Sequence, residues 1–212
     1  MPIENSMNRN QALIVVDVQN DFLETGSLPV PEGSAVIPVI NRLMPQFRTV
    51  VLTQDWHPAE HKSFAANHVG KKPYDMMTMP YGEQVLWPVH CVQNSKGAEL
   101  AAALDLNGTE FNILKGVNPE VDSYSAFYEA DGKSKTILAD WLKEQDITEV
   151  FVCGLATDFC VSWSALDAVK EGFRTFIVED ACRGIDVCGS MSAAKEQWKL
   201  KGIEVVQSTS LR

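Results

Sequence analysis

The sequence predicts an α/β fold of three layers, a mostly parallel sheet of about six strands with helices on both faces. Three observations lead there. Short apolar runs of strand length alternate along the chain with segments of helical period, the mark of strand–crossover–strand units. The runs are apolar throughout instead of alternating, as in parallel strands buried on both faces. Most runs also stop at a reactive side chain, and the carboxyl ends of the strands are where open α/β sheets bind ligands.

In order, the first run is Ala12-Leu13-Ile14-Val15-Val16, closed by Asp17 and followed by Gln19-Asn20-Asp21-Phe22. Ser34 to Phe47 reads as a helix, with Ile37, Ile40, Leu43, Met44 and Phe47 on one stripe and Pro38 in its first turn. Thr49 to Thr53 is the second strand, closed by Asp55. Residues 56–95 follow no clean period and hold Pro58, Pro73, Pro80, Pro88 and all four histidines. An irregular stretch this long in a compact domain is functional or disordered, and Trp56, Phe64, Tyr74, Tyr81 and Trp87 favour order.

Gly97 to Leu106 looks helical, and Phe111 to Leu114 is a third strand ended by Lys115-Gly116. Lys135 to Gln145 is a helix. The strand 148–155 comes next and breaks at Gly154. Thr157-Asp158 then reads as an N-cap before the helical pattern Val161, Ala165, Leu166, Ala168, Val169, which puts Cys160 in the first turn. Phe173 to Val178 is a strand ending at Glu179-Asp180, Ser190 to Lys201 a helix, and Ile203 to Val206 a short last strand. Residues 1–10 are polar and read as a loosely held tail.

The 212 residues suffice for one domain over 1–212 with a real core, and no linker-like stretch divides them. A net charge of -10 argues against a nucleic-acid or anionic-membrane surface and favours a small ligand. Five cysteines with no CxxC pair fit reduced thiols in the cytoplasm. The first apolar run is too short for a signal peptide or a membrane span. Oligomeric state is left open.

Asp17, Asp55, Lys115 and, one turn beyond its strand, Cys160 all fall at one rim of such a sheet. An acid, a base and a thiol there can make an amide-cleaving site. At a helix N-terminus free N–H groups favour a thiolate and could hold an oxyanion. A small buried hydrophobe is the alternative for Cys160, and a surface lysine for Lys115. Asp55 and His57, two apart, point to one side of an extended segment. With a distant histidine they make a ligand set for Zn²⁺ or Fe²⁺ with open positions. Structural histidines are the other reading, and His61 and His68 stay ambiguous.

The segments Asp17-Val18-Gln19-Asn20-Asp21-Phe22, Asp55-Trp56-His57-Pro58, Trp87-Pro88-Val89-His90-Cys91, Lys115-Gly116 and Gly154-Leu155-Ala156-Thr157-Asp158-Phe159-Cys160-Val161 resemble the nicotinamidase/pyrazinamidase branch of the isochorismatase-like cysteine hydrolases. The likeness runs in order from about residue 12 to 206. It implies a Rossmann-like strand order and a triad of Asp17, Lys115 and Cys160. Asp55, His57 and His90 would hold one divalent metal, Zn²⁺ first and Fe²⁺ or Mn²⁺ as alternatives. Phe22, Trp87 and Tyr124 would line a ring pocket, the amides of Ala156 and Cys160 would form the oxyanion hole, and the Leu155–Ala156 peptide would be cis. The implied reaction is hydrolysis of nicotinamide to nicotinate and ammonia, or of pyrazinamide, through a thioester, in NAD salvage. Three rivals stand beside it: an amidase for carbamoyl or ureido substrates, a hydrolase using zinc-bound hydroxide, and a ligand-binding domain without catalysis.

Overall fold

The computed structural model describes residues 9–109 and 111–211. Six parallel strands form one sheet: β1 (Gln11–Val16), β2 (Thr49–Asp55), β5 (Phe111–Lys115), β6 (Glu149–Leu155), β7 (Arg174–Arg183) and β8 (Glu204–Val206). Their order is β5-β2-β1-β6-β7-β8. The remaining two strands, β3 (Met76–Met79) and β4 (Gly82–Val85), pair as a separate antiparallel hairpin inside the 56–95 segment. Strand order reverses between β1 and β6, the switch point at which such sheets open a crevice. Asp17 and Cys160 follow the two strands that flank it.

Four α-helices accompany the sheet: α1 (Ile37–Leu43), α2 (Leu138–Glu144), α3 (Ser162–Lys170) and α4 (Ser190–Lys201). Right-handed crossovers put α1 on the face opposite α2, α3 and α4, because the chain winds outward from the centre in two directions. Both faces are therefore covered, and β1, β2 and β6 are buried along their lengths as their continuous apolar runs predict. Each fully buried Leu, Ile or Val of these strands contributes about 1.5–3 kcal/mol.

Several predicted elements differ from the fold. The helix expected over 34–47 is α1 alone between two 3₁₀ turns, with Pro38 in its first turn as predicted and Pro45 in the turn that follows it. The helix expected at 97–106 is a chain of turns. Its carbonyls are taken from outside: Gln19 and Gln54 both donate to the Ala98 oxygen at 2.9 and 2.8 Å, and the amides of Asn20 and Asp21 donate to Glu99 and Gly97. The strand expected over 173–178 runs on to Arg183, past an irregularity in its pairing with β6. Of the ten residues read as a tail, the first eight lie outside the described residues. The Asn10 carbonyl accepts from the Thr148 and Glu149 amides at the start of β6.

Candidate active site

Asp17 sits at the end of β1 with φ of 48°, a left-handed residue that turns the chain abruptly at the sheet rim. Its Oδ1 accepts from the Thr53 hydroxyl of β2 at 2.6 Å, which fixes the carboxylate. Gln19 ties the same two strand ends, accepting from the Asp55 amide and donating to the Asp55 carbonyl, both at 2.8 Å. Lys115 closes β5, and its register partner on β2 is Asp55. Cys160 lies in a wide turn, Thr157–Val161, in which the Val161 amide reaches back to the Ala156 carbonyl at 3.2 Å. Gly154 makes the approach to that turn feasible: its φ is 114°, and a Cβ there would meet the Val16 carbonyl oxygen at 2.1 Å.

These elements bring the three predicted residues together. Lys115 Nζ is 2.9 Å from Asp17 Oδ2 and 3.6 Å from Cys160 Sγ. Ligand atoms of Asp17, Asp55 and Cys160 all lie within 4.8 Å of one another. The lysine also donates to the Ser123 carbonyl at 3.2 Å and to Asp55 Oδ1. Asp55 thus has two faces, a link that the sequence pattern does not reveal: Oδ1 holds Lys115 while Oδ2 faces His57 and His90 at 3.6 and 3.7 Å.

The electrostatics follow from burial. Taken alone it would lower Lys115, but Asp17 and then Asp55 outweigh it and hold the ammonium well above its ordinary value. Burial likewise opposes ionised Asp55, yet Lys115 and His57 keep that carboxyl well below the usual range. Asp17 is pushed up by burial, Lys115 offsetting only part. The Cys160 thiol is also pushed well up by burial, with Lys115 pulling the other way. That runs against the helix N-terminus, which by itself would favour the thiolate. Here desolvation costs the anion more than the lysine returns, so the sulfur keeps its proton until a base takes it.

The predicted N-cap also differs. Asp158 makes no bond to the helix that follows; its carboxylate accepts from the amides of Ile185 and Asp186, at 3.0 and 2.8 Å, and from the Ser190 hydroxyl. It holds the 185–190 loop against the Thr157–Val161 turn, and Ile185 of that loop lines the cavity beside Cys160.

Asp55, His57 and His90 offer ligand atoms within 4.8 Å of one another, all buried. Both imidazoles are oriented by backbone carbonyls: His57 Nδ1 faces the Gly116 oxygen at 3.0 Å and His90 Nδ1 the Pro88 oxygen at 2.7 Å. A proton on each Nδ1 leaves both Nε2 lone pairs toward Asp55 Oδ2, a donor set that fits a divalent cation. Gly116, with φ of 62°, permits the close approach, since a Cβ there would stand 2.3 Å from the His57 ring. His61 belongs to a different group, with His57 and Asp122. Its Nδ1 accepts from the Ser63 amide at 3.2 Å, and burial lowers its pKa to about 4, so it is neutral. His68 Nε2 donates to the Lys62 carbonyl at 2.7 Å on the outside of this segment.

A cavity that opens to solvent lies over these groups. Phe22, Trp87 and Tyr124, the predicted ring-binding residues, all line it, together with Ala156, Cys160, Asp55, His57 and His90. Leu28, Phe159, Asp122 and Ile185 complete the wall and were not singled out from sequence. Phe159 has its ring edge-on to Trp87 at 4.9 Å, and its place next to Cys160 is the one local signal for it. The Leu155–Ala156 peptide is cis, as expected. Ala156 and Cys160, the predicted oxyanion-hole residues, both line the cavity, one before the Thr157–Val161 turn and one within it.

Comparison with known proteins agrees with this geometry. A model of the isochorismatase domain matches residues 11–210. The nicotinamidase of Acinetobacter baylyi is 50% identical over 202 residues, covering 95% of this chain and 94% of its own. The yeast nicotinamidase bound to the inhibitor nicotinaldehyde superposes with a TM-score of 0.86 at 35% identity, over 93% of this chain and 99% of that one. The pyrazinamidase of Pyrococcus horikoshii in complex with zinc gives 0.77 at 38% identity, over 93% and 99%. With the match running from the first strand of the sheet to beyond the last, the chain belongs to the isochorismatase domain family.

Proposed function

We propose that the chain is a nicotinamidase, hydrolysing nicotinamide to nicotinate and ammonia through a thioester on Cys160. The observation that carries this reading is the contact of Lys115 Nζ with both Asp17, at 2.9 Å, and the Cys160 sulfur, at 3.6 Å, where Cys160 itself lines an aromatic pocket. Further support comes from 50% identity to a nicotinamidase over nearly the whole chain.

In this reading Phe22, Trp87 and Tyr124 hold the pyridine ring and turn its carboxamide toward the sulfur. Asp17 takes the thiol proton as sulfur attacks the carboxamide carbon and a C–S bond forms. Its Oδ2 is paired with Lys115 Nζ at 2.9 Å, and its burial-raised affinity for a proton suits a general base. The Ala156 and Cys160 amides receive the oxyanion, a contribution on the order of 3 kcal/mol per donor. Collapse breaks the C–N bond while Asp17 returns its proton to the departing nitrogen, which leaves as ammonia. Asp17 then deprotonates a water that attacks the thioester; the C–S bond breaks, nicotinate leaves and the sulfur recovers its proton. Lys115 stays cationic throughout and stabilises the thiolate and both carboxylates.

Asp55, His57 and His90 are the residues that would hold a divalent ion, zinc in our reading. When bound it supplies a Lewis-acid centre for the pyridine nitrogen or a water. In our reading the reaction is a step of NAD salvage in the cytoplasm. Among the described residues no helix is long and apolar enough to cross a membrane.

The test is direct. Wild-type protein should release one ammonia and one nicotinate per nicotinamide consumed, and failure to do so would sink the reading. Removing metal with a chelator should also lower the thermal midpoint. Zinc at about a hundredfold over its Kd should restore about 2.7 kcal/mol. No restoration is expected in His57→Ala; an equal zinc response there would count against the proposed ligand set.

A further inference from the structure

The β3–β4 hairpin carries one buried polar residue whose bonds point into the pocket wall. Gln84 is 1% exposed, whereas its neighbours Gly82 and Glu83 are exposed. Its side-chain amide nitrogen stands 2.9 Å from the Tyr124 hydroxyl, 2.7 Å from Asp122 Oδ2 and 2.7 Å from the Val85 carbonyl. The Tyr81 hydroxyl, 3.2 Å away, donates to its Oε1. That orientation of the amide is the only comfortable one, because the reverse would set Oε1 against the Asp122 carboxylate. The Tyr124 hydroxyl in turn accepts from Trp87 Nε1 at 3.0 Å. Gln84 and Trp87 thus grip the same oxygen from two sides, and Tyr124 and Trp87 are both walls of the cavity.

We infer that Gln84 is a positioning residue that sets the ring-binding wall by holding the Tyr124 hydroxyl and, through it, the Trp87 indole. It touches neither the sulfur nor the metal-ligand set, so its effect falls on substrate binding and leaves the bond-breaking steps alone. This rests on the nicotinamidase reading given above. The hairpin, which lies outside the main sheet, becomes part of the specificity apparatus for a planar heteroaromatic amide.

Steady-state kinetics on nicotinamide separate this role from mere support of the fold. Gln84→Met keeps the side-chain length and removes the donors; KM should rise about tenfold, the size of one lost hydrogen bond, with kcat changed less than about threefold. In a Tyr124→Phe background the same change should move KM less than about twofold, because the shared oxygen is already gone. Tyr81→Phe, a milder release of the amide, should raise KM about threefold, and it carries the test should Gln84→Met not fold. Independent, multiplicative effects of Gln84→Met and Tyr124→Phe would overturn the inference. So would an unmoved KM in Gln84→Met or in Tyr81→Phe beside an active wild type. A wild type that neither releases ammonia nor binds nicotinate would instead overturn the functional reading, and the inference with it.

Discussion

Replacing Cys160 with alanine should lower ammonia release from nicotinamide by roughly 10⁴-fold or more while nicotinate binding stays within about threefold. The sulfur is the one thiol on the cavity wall, and in the proposed reaction it carries the acyl group. The pocket walls proposed to hold the ring, Phe22, Trp87 and Tyr124, are left in place by the substitution. Binding followed by tryptophan fluorescence, beside a coupled ammonia assay, separates the two quantities. A variant that still turned over within tenfold of wild type would point to attack by water, with Cys160 a bystander.

Lys115→Met should abolish turnover and destabilise the metal-free protein by about 3–5 kcal/mol, the usual consequence of leaving buried charge unpaired. Methionine fills much the same volume, so packing changes little. What is lost is the cation between two buried carboxylates, Asp17 and Asp55. Both are fully enclosed, and Asp55 stays ionised largely because Lys115 faces it. Urea unfolding of the two proteins measures the difference. A loss below about 1 kcal/mol would mean that the lysine is not what permits the carboxylates to share this rim.

The convergence of Asp17, Lys115 and Cys160 was legible because a parallel sheet delivers every strand end to one rim. Of the Asp55, His57 and His90 cluster, the third was implied by the family resemblance, while the first two were legible from their spacing. The double use of Asp55 was not, since which carboxylate oxygen meets which partner depends on the register of β2 with β5. Asp158 misled because aspartate before a helix looks the same whether it caps that helix or holds a loop 27 residues away. The 97–106 segment misled for a related reason: its apolar spacing is helical, but Gln19 and Gln54 occupy its carbonyls from across the fold. Gln84 carried no signal at all. It sits in a short hairpin with no clear period, and its importance lies wholly in partners distant in sequence, Asp122 and Tyr124.

Attack of the Cys160 sulfur on a carbonyl carbon held in this pocket can be watched directly with nicotinaldehyde labelled with ¹³C at the carbonyl. Bound to wild-type protein, the labelled carbon should leave the aldehyde region of the NMR spectrum and take the shift of a tetrahedral carbon bearing sulfur and oxygen, while in Cys160→Ala it stays an aldehyde. A bound carbonyl that remains trigonal in the wild type, or becomes tetrahedral equally in the variant, would contradict nucleophilic attack by Cys160.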